Sequence, residues 1–332
     1  MVRDFSEEEG NFPSDNYISN EESYLHVVDK LKQLGASGGA YLGVGPEQNF
    51  TYIVKTRPQI AFIVDIRREA IIQHLMYKAI FQLSANRTQF LSWLFSKPLK
   101  GTDVPGREAP LEDILEYISR APTSSVAFAE NLATIRKTIE KDFEIPLSAS
   151  DEKLLEHVYG AFQEGNLHIT TRWYGGGFGG GGYGPTLGDL FLEKDVHGKL
   201  GNFLSTAEDY EYIRDLHRKN RIIPVVGDFA GTKALATVAG YLRQNGYPVC
   251  AFYTSNVEQY LFGDRVFGAF AENVRKLPIR DNSVFIRALR GGWLGHRTVL
   301  QKIGEFLNDY DQGLLTDYRS LSRMRYITDD EP

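Results

Sequence analysis

Ala40-Tyr41-Leu42-Gly43-Val44-Gly45 and Ala61-Phe62-Ile63-Val64-Asp65 decide the fold. The first reads as a buried strand that runs into a tight Gly-x-Gly turn. The second reads as a buried strand that stops on a carboxylate, and Asp65 lies 22 residues beyond Gly43. A strand, a glycine turn, a helix and a second strand ending on an acid form the nucleotide half-site of a doubly wound α/β sheet. The glycines let a ligand approach the backbone, and the acid accepts hydrogen bonds from ribose hydroxyls.

Working outward, the spacing predicts a short helix over about 46–56, with Pro46 in its first turn. A long helix follows over 68–83, with Ile71, Ile72, Leu75, Met76, Ala79, Ile80 and Leu83 as a wide apolar stripe. The pattern resumes at Ile222-Ile223-Pro224-Val225-Val226-Gly227-Asp228, a third strand ending on an acid. Pro224 is awkward in a central strand and acceptable at a strand start or a sheet edge. A helix over 231–245, strand 4 over 249–254, strand 5 over 283–289 and a last helix over about 296–309 complete the reading, with no hairpin after strand 5. Strands followed by helices predict a mainly parallel, doubly wound sheet of Rossmann-like α/β class, in the order 3-2-1-4-5.

Residues 86–220 do not alternate strand with helix. They predict a large helical insertion, with helices near 87–96, 111–119, 124–141, 151–164 and 206–219. Inside it, 175–184 is a Gly-rich loop that resists regular packing. It is read as a surface connection or as a lid over a ligand. The organisation expected is an arm over 1–18, the halves of the Rossmann-like domain over 19–85 and 221–312 around the insertion over 86–220, and a tail over 313–332. Ser19-Asn20-Glu21-Glu22 and Ser255-Asn256-Val257-Glu258 both read as capping boxes that open helices.

The bulk properties exclude several classes. A chain of 332 residues with net charge −6 and no long basic run argues against a dedicated nucleic-acid binder. No stretch reaches the roughly 18–20 apolar residues needed to cross a membrane, and the acidic start is no signal peptide. A cytoplasmic location is the expectation. Cys250, the only cysteine, lies in an apolar strand and reads as a core residue. The seven histidines show no metal-ligand spacing, so no metal is expected. Gly35-Ala36-Ser37-Gly38-Gly39 carries the letters of a hydrolase elbow but has a helix before it and a strand after it, the reverse of what that motif needs.

The polar candidates all follow strand ends: Gly43, Gly45 and Glu47; Asp65 and Arg67; Asp228 and Phe229; then Ser255, Asn256, Glu258 and Tyr260. In an open α/β sheet these ends line one crevice. Arg67 could hold a carboxylate or phosphate. The simpler readings are a plain turn for the glycines and helix caps for Asp65, Asp228, Ser255 and Glu258.

On Leu42-Gly43-Val44-Gly45, Asp65, Val226-Gly227-Asp228-Phe229 and Tyr253-Thr254-Ser255-Asn256, the chain resembles the class I S-adenosylmethionine-dependent methyltransferase fold over about 20–83 and 221–290. Its layout is also similar to a group of bacterial proteins with such a core and a helical insert. The resemblance implies S-adenosylmethionine as cofactor. Gly43 and Gly45 would lie against its methionine part, Asp65 on the ribose, Asp228 on the adenine amino group and Phe229 on the ring. Asn256, Glu258 and Tyr260 would orient or deprotonate the methyl acceptor. The expected partners are a small-molecule ligand or a methyl acceptor, with a second copy of the chain as a further candidate. Two rival readings stand beside it. One is a nicotinamide dinucleotide enzyme, against which Gln48 stands where a third glycine is expected. The other is a non-catalytic methyltransferase-like sensor or scaffold.

Overall fold

The computed structural model describes residues 1–171, 184–290 and 296–327. The expected Gly-rich loop, apart from Gly184, and the last residues of the expected tail lie outside them. In chain order the elements are α1 (Val2–Phe5), α2 (Val28–Gln33), β1 (Ala40–Gly43), α3 (Gln48–Thr56), β2 (Ile60–Asp65) and α4 (Arg68–Leu83). Then come α5 (Arg87–Phe95), α6 (Leu111–Arg120), α7 (Ser125–Lys137), α8 (Ala149–Gly165), α9 (Leu187–Leu192) and α10 (Ala207–Arg218). The chain re-enters the sheet with β3 (Ile222–Val226), α11 (Ala234–Gln244), β4 (Val249–Ser255), α12 (Glu258–Gly263), α13 (Phe267–Arg275), β5 (Ile279–Arg290), β6 (His296–Lys302), α14 (Ile303–Asp311) and α15 (Tyr318–Leu321).

The strands form one mixed, mostly parallel sheet in the order β3-β2-β1-β4-β5-β6. β1 to β5 run parallel and β6 returns antiparallel to β5. Side chains alternate between the two faces. Tyr41, Ala61, Ile63, Ala251, Tyr253, Val284 and Ile286 pack on one side, with α4, α5, α8 and α10. Leu42, Phe62, Val64, Val225, Phe252 and Phe285 pack on the other, with α11, α13 and α14. Both faces are covered, which is why the strands read as continuous apolar runs. On the first face Phe50, Phe81, Phe90, Phe203 and Tyr210 build an aromatic cluster that includes the His217 ring, stacked 4.7 Å from Phe81.

β3 is an edge strand, which explains Pro224. Val226 receives the Glu7 N–H on its carbonyl and gives its own N–H to Ser6 Oγ at 2.9 Å, so even-numbered residues of β3 face away from β2. Pro224 shares that orientation, and its missing N–H costs the β2–β3 ladder nothing.

Four expectations are corrected. The segment read as a helix from about 296 begins as β6, and only Ile303 onward is helical. Thr298, Val299, Leu300 and Gln301 are buried against β5, so strand pairing with a distant segment overrides the local pattern. A hairpin therefore does follow strand 5. Ser19 opens no helix, since residues 22–27 are turns and α2 starts at Val28. Ser255 caps no helix either. It ends β4 with φ +53°, and the N-cap of α12 is Val257.

Cys250 is buried, and burial pushes its thiol up to about 11. Among the described residues no cluster of His, Cys, Asp and Glu is placed to hold a metal ion, and no helix is long and apolar enough to cross a membrane.

Candidate functional site: a strand-end crevice crossed by the N-terminal segment

The carboxyl ends of β1, β2, β3 and β4 bring the residues singled out from the sequence to one side of the sheet. The turn after β1 is built by Asn49. Its Nδ2 donates to Val44 O, Gly45 O and Pro46 O at 2.9, 3.0 and 2.8 Å, and its Oδ1 accepts from Tyr41 Oη at 2.9 Å. The two glycines do different work. A Cβ on Gly43 would lie 1.9 Å from Asn49 Oδ1, so Gly43 makes room for the staple. Gly45 has φ +76°, which favours glycine, and the space beside it is open. His74 Nε2 donates to Gly45 O at 2.8 Å from the helix behind.

After β2, Asp65 and Arg67 close on each other. Asp65 Oδ1 accepts from the Arg67 N–H at 2.9 Å and from Nε at 3.2 Å, and Oδ2 accepts from Nη2 at 3.1 Å. Both side chains are buried, and the carboxylate holds the guanidinium above its ordinary pKa against the opposing effect of burial. Arg67 Nη1 also donates to Asp15 O. Arg68 turns away and grips Asp151 bidentately, at 2.8 and 3.1 Å. After β3, Asp228 Oδ1 accepts from Ala230 N at 2.8 Å in a local turn. Phe229 is buried on the opposite side of the sheet, against Phe252 and Phe270 at 5.0 and 5.9 Å, so its ring is a core ring.

After β4 the placements diverge. Glu258 is buried and accepts from Arg287 Nε at 2.7 Å and from Thr254 Oγ1 at 2.8 Å. Its carboxylate belongs to an internal ion pair. Tyr260 is half-buried, with the Phe12 ring edge-on at 5.1 Å. Asn256 is half-buried in the turn that leads into α12.

The N-terminal segment crosses all these strand ends. Ser6 and Glu7 pair with β3, Gly10 N donates to Ile66 O after β2, and Phe12 reaches Tyr260 beyond β4. Asp15 O takes Arg67, Ser19 joins the first turn of α3, and Ser23 Oγ meets Thr298 of β6. The Glu7 carboxylate lies on the start of α11, accepting from Asp228 N, Lys233 N and Ala234 N at 2.7, 3.0 and 3.3 Å. Gly231 leaves room for it, since a Cβ there would sit 2.2 Å from Oε1, and Gly227 leaves room for Ala234. Backbone N–H groups at a helix start favour an anion, and here the chain supplies its own.

Under this segment lies a buried polar cluster centred on Gln48; the sequence singled out Glu47 and Ser255 and missed how Glu21, Gln48 and Tyr52 join them. The Gln48 amide donates to Glu21 Oε2, Tyr52 Oη and Tyr253 Oη at 3.0, 3.2 and 3.2 Å. Its carbonyl accepts from Ser19 Oγ, and Ser255 Oγ donates to Glu21 Oε1. Glu47 accepts from Ser19 N at 3.2 Å through one oxygen, while the other is buried without a partner among the described residues. Burial pushes its carboxyl up to about 7. The signal was present in the paired acids of Ser19-Asn20-Glu21-Glu22 and in the polar Gln48-Asn49 beside the glycine turn. A cap explained the first pair, and a helix start explained the second.

Opposed titrations follow. Glu47 has a folded-state pKa raised from 4.5 to about 7, so its contribution is full below about 4.5 and is lost as pH rises towards 7. His74 is lowered by burial from 6.5 to about 4, so its contribution is present above 6.5 and lost as pH falls towards 4. His217 shifts in the same direction as His74. Between about 4.5 and 6.5 the Glu47 and His74 slopes oppose each other. Glu47→Gln removes one of them. Its stability should fall on acidification by about 1.4 kcal/mol per pH unit more steeply than that of the parent. Urea unfolding at stepped pH measures this, and parallel pH profiles for the two proteins would refute it.

The fold and site define an α/β protein with a strand-end crevice closed by its own N-terminal segment. The chain matches the model of the domain of unknown function DUF7790 over residues 17–104 and 188–321, and it belongs to that family. No curated protein matches it.

Proposed function

We propose that the chain is a methyltransferase-like module, Rossmann-like in its winding with a helical insertion between β2 and β3, that acts as a non-catalytic sensor or scaffold. The family model passes over residues 105–187, which contain α6, α7 and α8, and this supports reading that part as an insertion. One observation carries the functional reading: both oxygens of Asp65, the group that would hold a ribose, are engaged by Arg67. Asp15, which accepts from that arginine, belongs to the segment that lies across the crevice. Phe229 within the core and Glu258 within an ion pair agree with it.

A second reading keeps S-adenosylmethionine as cofactor and methyl transfer as reaction, with the N-terminal segment withdrawing to admit it. The open space beside Gly45 favours it, as does the antiparallel strand after β5, a place where the methyltransferase fold usually carries a hairpin. Transfer would then depend on in-line placement of an acceptor against the methyl sulfonium, with Asn256 and Tyr260 nearest the β4 end. Calorimetric titration with S-adenosylmethionine, S-adenosylhomocysteine and NAD, beside Asp65→Ala, separates the readings. The expected result is no heat from any of the three. Micromolar adenosyl binding lost in D65A would install the methyltransferase reading in its place, and binding of NAD alone would point to a dehydrogenase.

A further inference from the structure

A second concavity lies at the β3 edge of the sheet, sharing Ser6, Glu7 and Val226 with the β3 end of the crevice. It is a cleft of about 810 Å³ between α1 and the following arm residues, the exposed edge of β3, α4, and the chain from Phe143 to Leu154. Its volume is in the range of small-molecule sites. Leu75, Phe143, Ile145 and Leu154 supply apolar wall, and Arg3, Arg68 and Lys78 bring cations to it; Lys78 from α4 is the buried one that has no carboxylate partner among the described residues.

Lys78 is 5% exposed, yet its surroundings under-serve an ammonium group. Among the described residues one oxygen accepts from it, His217 O at 2.8 Å, and the Phe143 ring lies 5.0 Å from Nζ. An ammonium has three N–H donors, so two have no acceptor. Leaving a buried charge short of partners is costly. Burial alone pushes this amine down to about 8, with no opposing charge among its causes. Five acids line the cleft, and Asp4 among them holds the N-terminal amine at 3.1 Å. Asp151 holds Arg68, Glu7 takes the backbone of α11, and Glu9 and Glu144 are exposed at the rim.

We propose that this cleft binds a small amphiphilic carboxylate, whose charged end accepts from Lys78 and whose hydrocarbon body lies against Leu75, Phe143, Ile145 and Leu154. The charge selects an anion. The apolar walls select a ligand with a hydrocarbon part over inorganic phosphate. The site is independent of the crevice at the β1 and β4 ends and of whether that crevice takes a cofactor.

The test uses the full chain with octanoate as probe, with octanol and inorganic phosphate beside it, followed by calorimetry or ligand-observed NMR. Octanoate should bind more tightly than either comparison ligand. Lys78→Met keeps an unbranched apolar stem, one atom shorter, and removes the charge. That variant should weaken octanoate roughly tenfold or more, as expected for a charge-assisted hydrogen bond, and leave octanol unchanged. Equal binding of octanoate and octanol, an unchanged affinity in K78M, or no octanoate binding at millimolar concentration would overturn the proposal. A measurement on the parent protein guards against a variant that fails to fold. Octanoate should protect Lys78 from acetylation, read by peptide mass, and labelling that octanoate leaves unaltered would also overturn the proposal.

Discussion

Arg287→Met should destabilise the protein by about 3–5 kcal/mol, because it leaves the Glu258 carboxylate buried and unpaired. Arg287 is fully buried, with Nε on Glu258 at 2.7 Å, Nη1 on Gln301 Oε1, and its guanidinium over the Phe285 and Phe306 rings at 4.1 and 5.1 Å. Glu258 is itself 2% exposed, so solvent screens little of the pair. The double variant Glu258→Gln with Arg287→Met should recover most of the loss. A neutral amide can still accept from Thr254, and methionine fills the space between the rings. Denaturant unfolding of the parent, R287M, E258Q and the double variant completes the cycle. If R287M matched the parent, or if the double variant were worse than both single variants together, the ion pair would not be what holds α12 to β5. The same pair engages the Glu258 carboxylate inside the protein. Its loss should therefore appear in stability and leave the ligand titrations above unchanged.

Glu7→Ala should release the N-terminal arm. The wild-type carboxylate satisfies the N–H groups of Asp228, Lys233 and Ala234, and its charge complements the start of α11. Hydrogen bonds to a charged acceptor contribute about 1.5–3 kcal/mol each before solvent screening. Glu7 is half-buried, so a local loss of about 2 kcal/mol in total is the reasonable magnitude. Hydrogen exchange should quicken roughly 30-fold at Glu7 N and Gly10 N, which bond to Val226 O and Ile66 O. Core strands such as β1 should keep their protection. Gly231→Ala is an independent route to the same state, because its Cβ would occupy the place of Glu7 Oε1. Glu7→Gln keeps an acceptor oxygen and should fall between the parent and E7A. Exchange rates in E7A equal to the parent's would mean that Phe5, packed on Phe62 and Tyr241, anchors the arm without help from Glu7.

The relation of sequence to structure differs between the sheet and the site. Apolar runs and their glycine or proline boundaries placed β1, β2, α4 and β4 within a residue or so of where they lie, because both faces of these strands are buried and every residue must be apolar. Of the helices between β2 and β3, α5, α6, α7, α8 and α10 were legible, since caps and stripes are local features, and the short α9 was not. β6 was not legible. Its residues fit a helix pattern about as well as a strand, and only the open edge of β5 selects the extended form.

For the site, the sequence by itself determined which residues stand at the strand ends: Gly43, Gly45, Asp65, Asp228 and the turn after β4. It also placed a glycine turn there, and the structure shows that Gly45 takes a left-handed φ. Only the tertiary structure decided what those residues face. Residues 1–18 read as a loose arm and Ser19-Asn20-Glu21-Glu22 as a helix cap, yet residues 6–23 run across four strand ends and cover them with internal contacts. Their partners lie tens to hundreds of residues away: Glu7 meets Asp228, Glu21 meets Ser255 and Ser23 meets Thr298. Periodicity reports whether a residue is buried, because burial is shared along one element. Which carboxylate meets which donor across the crevice is a matter of pairwise geometry between distant segments, and only the folded chain sets it.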